Sequence, residues 1–580
     1  MSDTAPFMQS DAFESLPDAL CEVIRSVVRK TRLWPSEKRD VQAELESHFR
    51  EGLIELIGQG MSVDESVEVL RDGFGDPELT AKLIRRGKKR GRSMFWKIIV
   101  GTALTGLGGV GTGAAYVGYL WLAEPNPTVN YVAKINEPII QIPESDRSWP
   151  VLRDAILQMT SSPGIEKIRG TMPLPGEATW PEAMTWVSQN QNLLPVFIRA
   201  AQMPAYGFVY DNASTAEFLA ARAAARGEPA SQAVIKDDPL APPTLSLLLP
   251  HLSDYRDAGR LLLLAARNEL YHGDFVECWT ALDSVHRLGA QLLTGQTLIE
   301  QLVGRAMMGM AAQEMRRVLY DLRDTITPEQ LATVGESWFM TMPLDSMKPN
   351  YEGEKLFFSD VVQYIFTDDG NGNGRLIPSQ FEKIEWLGRD PSTSKEDSFH
   401  REGRYLHIAA VHADRATTIE KYTELWNKMH ERIQLPLHDP RREDAGRVLD
   451  AALENEPLGR FAVISTLLPN FSNADASLRE SVIETKALRT IVALLRFRLD
   501  HAAFPAKLGD LVPTYIAEVP MDAYSGSELR YDSAAPYGPR LYSVGRNMKD
   551  DNGVSKTPLG QSDADRTTLD LVFWPEDHLK

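Results

Sequence analysis

Cysteine is almost missing. Cys21 and Cys278 are the only two in 580 residues, too few for a disulfide framework or a cysteine-based zinc site. Basic charge is also in deficit, with 62 Lys and Arg against 80 Asp and Glu, a net charge of −18. Residues 1–97 hold 16 basic and 17 acidic side chains, so nearly the whole imbalance, 46 against 63, follows them. An acidic surface excludes general nucleic-acid binding, which depends on neutralising phosphates. It suits divalent cations, basic partners or plain solubility. Catalytic signatures are lacking as well: there is no His-Glu-x-x-His, no P-loop, no Gly-x-Ser-x-Gly and no dinucleotide fingerprint. The eleven histidines are scattered, and His407 and His412, five apart, do not share one helix face. An active site assembled from distant residues is not excluded by this, but no catalytic residue stands out.

What is present begins with a long uncharged run. Ile98 to Ala123 reads IIVGTALTGLGGVGTGAAYVGYLWLA. At 1.5 Å per residue it spans the roughly 30 Å hydrocarbon core of a bilayer. It lies too far along the chain and is too long to be a signal peptide. Its seven glycines, among them Gly106, Gly108, Gly109, Gly111, Gly113 and Gly118, would be costly in a water-soluble helix. Lys82, Arg85, Arg86, Lys88, Lys89, Arg90, Arg92 and Lys97 precede it, whereas Glu124 follows. This asymmetry keeps the N-terminus in the cytoplasm. Trp96 at one end and Tyr116, Tyr119 and Trp121 at the other suit the interfacial belts. The two cysteines then lie on opposite sides of the membrane and cannot pair with each other. Gly109-x-x-x-Gly113 and Ala114-x-x-x-Gly118 offer small-residue faces through which two copies can pack as a homodimer.

Before the membrane, residues 1–15 are polar and expected to be disordered. Leu16 to Arg32 reads as an amphipathic helix, with Leu20, Ile24 and Val27 or Val28 on one side. A second helix starts at Trp34-Pro35-Ser36 and carries Val41, Leu45, Phe49, Leu53, Leu56 and Ile57 on its apolar stripe. Ser62 and Glu65 form a capping box for a third, which Gly73-Phe74-Gly75-Asp76-Pro77 ends. A fourth short helix leads into the basic cluster. Trp34-Pro35, Glu44-Leu45-x-x-His48, Gly60-Met61-Ser62 and Gly75-Asp76-Pro77 together resemble the HAAS-type (permease-prefix) domain of bacterial membrane proteins, over about residues 17–88. The resemblance implies a cytoplasmic interaction or signalling module rather than a catalytic one. Glu44 and His48 share a helix face, but with no third ligand nearby an ion pair or a packed histidine explains them better than a metal.

Beyond the membrane, Pro125 and Pro127 make a stiff spacer, and the β-branched residues of Val129 to Ile142 predict one or two short strands. Ser148-Trp149-Pro150 and Thr179-Trp180-Pro181 read as helix starts, and helical patterns dominate from 146 to 486. Asp257 to Leu288 forms a helical hairpin turning at His272-Gly273-Asp274, similar to a single tetratricopeptide-like unit. No 34-residue recurrence follows it, so an irregular bundle or short solenoid is expected, a kind of surface that binds proteins or peptides. Leu298 to Leu322 is a long helix whose Met307, Met308, Met310 and Met315 read as core filler.

Two stretches point to calcium. Counting from Asp369 as position one, oxygen side chains fall at one, three and five (Asp369, Asn371, Asn373), with glycine at six (Gly374). This is the first part of an EF-hand-type loop, in which Arg375 would contribute its carbonyl and Gln380 stands where a bidentate Glu is usual. Helices are expected on both sides, at Glu354 to Ile365 and Ser379 to Leu387. So few formal charges imply low affinity, and a Gly/Asn-rich turn between two helices explains the pattern equally well.

From Ala487 the pattern changes to one helix followed by short strands at Leu529 to Tyr531, Arg540 to Val544 and Leu569 to Trp574. Leu499-Asp500 with Phe504-Pro505, Pro520-x-Asp522 with Ser525-Gly526, Tyr531, Tyr542-Ser543-Val544-Gly545 and Asp570-Leu571 before Phe573-Trp574 resemble the globular domain of type II secretion major pseudopilins. That family binds calcium in the loop between its last strands. Carried over, the ligands are Asn547, where the family usually has Asp, and Asp570, with Asp550 and Asp551 as neighbours. The loop is much longer here, and a solvated acidic loop accounts for Asp550, Asp551, Asp563 and Asp565 equally well. The apolar N-terminal half of a true pilin helix is lacking, which argues for a shared fold rather than a pilus subunit.

The expected whole is mainly α: a cytoplasmic helical domain, one transmembrane helix, a helical bundle, and a small α+β module over 487–580. Its expected place is the bacterial inner membrane, with the bulk of the chain outside the cytoplasm. The expected function is that of an interaction or structural protein with protein partners; the alternatives are an envelope enzyme and, less simply, a transmembrane signalling relay.

Overall fold

The computed structural model describes residues 16–30, 62–74, 116 and scattered helical positions between 38 and 53, then 119–161, 172–227, 240–385, 405–554 and 569–575, apart from single positions inside these ranges. The described chain is mainly helical and divides into two units, Met1–Gly118 and Tyr119–Lys580. Among the described residues no helix is long and apolar enough to cross a membrane. Most of the expected span, including Gly109, Gly113, Ala114 and Gly118, lies outside the described residues, as do Glu44 and His48.

In the first unit, α1 (Asp18–Lys30) buries Leu20, Ile24 and Val27, the positions its periodicity picks out. Leu16, Leu20 and Ile24 pack with Phe49, against which Val67 and Leu70 of α2 (Val63–Phe74) also rest.

The second unit opens with a departure from expectation. Residues 131–140 form a helix, α3 (Tyr131–Ile140), not strands. The Asn130 side chain caps it by accepting from the Ala133 N–H at 2.9 Å. Ile135 and Ile139, one turn apart, are its buried pair, so the isoleucine spacing serves a helical period as well as an alternating one. Then follow α4 (Ser148–Gln158), α5 (Trp180–Gln189), α6 (Leu194–Ala201) and α7 (Asn212–Arg226). The centre consists of α8 (His251–Tyr271), α9 (Phe275–Leu292) and α10 (Leu298–Asp321). Gly273, at φ +88°, makes the predicted turn, and Asp274 caps α9 by accepting from the Glu277 N–H. Where α9 crosses α10, a Cβ on Gly289 would sit 2.6 Å from the Gly304 carbonyl oxygen, and one on Gly304 would sit 2.5 Å from that of Gly289. Only glycine permits this approach.

A second apolar cluster joins α11 (Glu352–Ile365), α12 (Pro378–Glu385) and α13 (Arg415–Ile433). The long α14 (Phe471–His501) then carries a three-stranded antiparallel sheet in the order β1 (Arg530–Asp532), β2 (Arg540–Ser543), β3 (Leu571–Trp574). The strands stand where the sequence places them. The domain boundary expected at 486/487 falls inside α14, however, and Leu541, Val544, Phe573 and Trp574 belong to the same core as α8, α9 and α10. Trp574 meets Tyr320 edge-on, with ring centroids 5.8 Å apart.

Candidate functional site

The EF-hand-like stretch is a tight turn pinned to its surroundings. Phe366 and Leu376 pair as an antiparallel bridge. One Asp369 carboxylate oxygen accepts from the N–H groups of Asn371 and Asn373 at 2.9 and 3.0 Å, and these bonds hold its carboxyl below the usual range. The side chains of Asp369, Asn371 and Asn373 are all exposed on this turn. The other two expected donors are differently engaged. The Arg375 carbonyl accepts from the Thr367 N–H at 2.9 Å, and Gln380 is buried in α12. Asp368 pairs with Arg415 at 3.1 Å. The Gly372 and Gly374 carbonyls accept from the first amides of α13, so the turn ties two helices together.

The second candidate loop is likewise satisfied from within. Asp570 is buried and accepts from the Gly553 and Asp551 N–H groups at 2.7 and 3.0 Å; burial raises its carboxyl, against those bonds. Asp551 accepts from the Asn547 side-chain amide, and Asp550 pairs with Arg530 at 3.1 Å and accepts from the Tyr542 hydroxyl. The structure thus brings Asn547, Asp550, Asp551 and Asp570 together around one turn. Among the described residues no group of three or more His, Cys, Asp and Glu side chains is arranged to hold a metal ion. Asp522, of the Pro520-x-Asp522 motif, accepts from the Tyr524 and Val544 N–H groups and from the Ser543 hydroxyl, which fastens the preceding turn to β2.

One buried polar cluster escaped the sequence reading. Glu300 is fully buried and accepts from the Tyr206 hydroxyl at 3.0 Å, the Tyr210 hydroxyl at 2.5 Å, and the Thr297 hydroxyl and N–H at 2.8 and 3.0 Å. Burial works to raise its carboxyl, but these donors and His251 outweigh it and hold it low. His251 Nε2 lies 2.5 Å from the Tyr206 hydroxyl, and burial depresses the imidazole against the opposing pull of Glu300. Burial, then the Glu300 charge, drives Tyr206 well above its ordinary range. The signal in the sequence was Thr297-x-x-Glu300, a capping box at the start of α10. The cluster is shut off by Phe208, stacked on His251 at 3.8 Å, and none of its members lines either of the two clefts described next. It fixes residues 206–210 against α8 and α10.

Open space lies elsewhere. A cleft of about 540 Å³ runs between α10, α14 and β3. Leu302, Arg305, Ala306 and Gly309 of α10 face Ser477, Ser481 and Glu484 of α14, and residues 570–573 form a wall. Ala306, Gly309, Ser477 and Ser481 are small, and they leave a trough between the larger side chains of the two helices. Its acids already have partners: Glu480 holds Arg546 at 2.7 Å and Glu484 holds Arg316 at 3.7 Å. Arg305 is buried, donates from Nη2 to the Met347 carbonyl at 2.7 Å, and among the described residues has no hydrogen-bond partner at Nε or Nη1. Burial pulls its guanidinium down to about 10, which leaves it charged. A second cleft of about 500 Å³ is lined by residues 127–132, Asp211, Asn212, Asp360 and Tyr364.

No family model, curated protein or solved structure matches the chain.

Proposed function

We propose that this chain is a single-pass protein of a bacterial cytoplasmic membrane whose acidic helical unit, outside the cytoplasm, captures a protein partner in the cleft between α10, α14 and β3. The topology is supported by the uncharged run of 98–123 with its basic leading flank and by Leu122, 80% exposed just where that run ends. The cleft is the observation that carries the binding role: it is open and of mixed polarity, and the buried His251, Glu300 and Tyr206 stand apart from it. Catalysis would ask for such groups to converge on the open space. The N-terminal unit, with its HAAS-like motifs, serves as a cytoplasmic interaction head, and the small-residue face at Gly109, Gly113, Ala114 and Gly118 pairs two copies. The pseudopilin-like end supplies one wall of the cleft. Calcium has a minor part, as a weak ligand of the exposed Asp369, Asn371 and Asn373.

Photo-crosslinking from position 306 in intact cells tests the binding role, with exposed Asp154 as the control position. The cleft predicts a discrete adduct from 306 that 154 does not give. Identical patterns from both, or no adduct from 306, would contradict it.

A further inference from the structure

Three asparagines are followed directly by glycine: Asn371-Gly372, Asn373-Gly374 and Asn552-Gly553. In such a pair the glycine nitrogen can attack the side-chain amide carbon of the asparagine, because no Cβ hinders the approach. Asparagine is thermolabile for this reason. The step needs a side chain open to water and a glycine N–H that is free to lose its proton. The fold treats the three pairs differently on these counts.

Asn371 is exposed on the turn between α11 and α12. Among the described residues its Nδ2 reaches only the Asp369 carbonyl, at 3.4 Å, and the Gly372 N–H makes no hydrogen bond. Asn373 is exposed as well, but its side chain is hydrogen-bonded to the Asp369 carboxylate. Gly374 behind it is buried, where a Cβ would run into the Thr367 carbonyl oxygen. Asn552 is exposed, yet Gly553 is buried and donates its N–H to Asp570 Oδ2 at 2.7 Å. A carboxylate at that distance opposes deprotonation of the nitrogen it accepts from.

We propose that Asn371 is a site of spontaneous deamidation, and that the fold protects Asn373 and Asn552 from the same reaction. The Gly372 nitrogen forms a bond to Asn371 Cγ as the bond from Cγ to Nδ2 breaks, and Nδ2 leaves as ammonia with the glycine proton. Water then opens the cyclic imide on one side or the other, leaving aspartate or isoaspartate. Either product adds a negative charge two residues from Asp369. The isoaspartyl product also lengthens the backbone by one carbon, just ahead of the Gly372 carbonyl that accepts from the Ala416 N–H at 2.9 Å. It therefore shifts one of the carbonyls that tie the turn to α13.

The test incubates the purified full chain in detergent at mildly alkaline pH for several weeks. Peptide mapping by mass spectrometry, with isoaspartate detection, follows each asparagine separately. Conversion at Asn371 is expected to run at least tenfold faster than at Asn373 or Asn552. In urea, where the turn and the bond to Asp570 are lost, the three rates should converge. Asn371→Gln keeps the amide but disfavours ring closure, so it should abolish conversion at that position and leave the other two rates unchanged. No conversion at Asn371 in the folded chain, or equal rates at the three positions, would overturn the inference. So would a spread of rates that persists in urea, since local sequence and not the fold would then set it.

Discussion

Glu300 shows what a single buried charge can be held by. Its carboxylate gathers two tyrosine hydroxyls and both polar groups of Thr297, and removing it leaves those donors unsatisfied in a dry interior. Glu300→Ala should cost about 3–5 kcal/mol, whereas Tyr210→Phe, which deletes one donor, should cost about 1.5–3 kcal/mol. Urea unfolding of the full chain in detergent, followed by tryptophan fluorescence, measures both. Two histidines set a pH dependence. Burial, with Arg489 and Arg287 nearby, pushes His286 down to about 3, and burial pushes His412 down to about 4, while the unfolded chain titrates them near 6.5. Below that value the unfolded state takes up protons that the folded state refuses. Their contribution is therefore complete above about pH 6.5 and shrinks as pH falls toward the folded values. Between pH 6.5 and 4.5 each should remove roughly 2 kcal/mol. Asp254, Asp283 and Glu354, whose carboxyls burial raises, act in the opposite sense, so the test compares wild type with His286→Asn. Equal pH slopes in the two would exclude this role for His286. At the 369–380 turn, one Asp369 oxygen is occupied by loop amides and the Arg375 carbonyl is taken, so calcium should bind no more tightly than about 10⁻³ M. A calorimetric titration giving micromolar affinity, abolished by Asp369→Ala, would contradict that.

The elements most legible in the sequence are those whose signals are local. The hairpin of α8 and α9 is readable because Gly273 and Asp274 supply the turn and the cap, and the three strands because turn residues bracket short runs that each hold an aromatic residue (Tyr531, Tyr542, Phe573). Residues 131–140 were misread, since Ile135, Ile139 and Ile140 satisfy either period until the Asn130 cap is counted. The crossing of α9 over α10 had no legible signal. Gly289 and Gly304 are ordinary glycines until the two backbones are seen in contact. The same holds for the cleft, which depends on small residues of two helices more than 160 positions apart in sequence meeting face to face. Gly289→Ala should therefore be far more damaging than a helix-propensity scale implies. Alanine is the better helix former by about 1 kcal/mol, yet the overpacking should destabilise by about 1–3 kcal/mol. A rise in the thermal midpoint of that variant would show that the crossing has room.

At the scale of the whole molecule, composition was the surest guide: the acidic excess belongs almost entirely to the second unit, and the basic cluster to the end of the first. What composition could not disclose is that the C-terminal sheet shares the core of the helical region, because α14 spans the expected boundary. Everything proposed for the cleft depends on where Tyr119–Lys580 resides, and protease treatment of intact spheroplasts measures that directly, with antibodies against each end of the chain. A span across 98–123 with the acidic unit outside predicts loss of the C-terminal epitope and survival of a membrane-bound N-terminal fragment of about 120 residues. Survival of the full-length chain in sealed spheroplasts, or its release into the soluble fraction on lysis, would contradict the proposed topology and the binding role built on it.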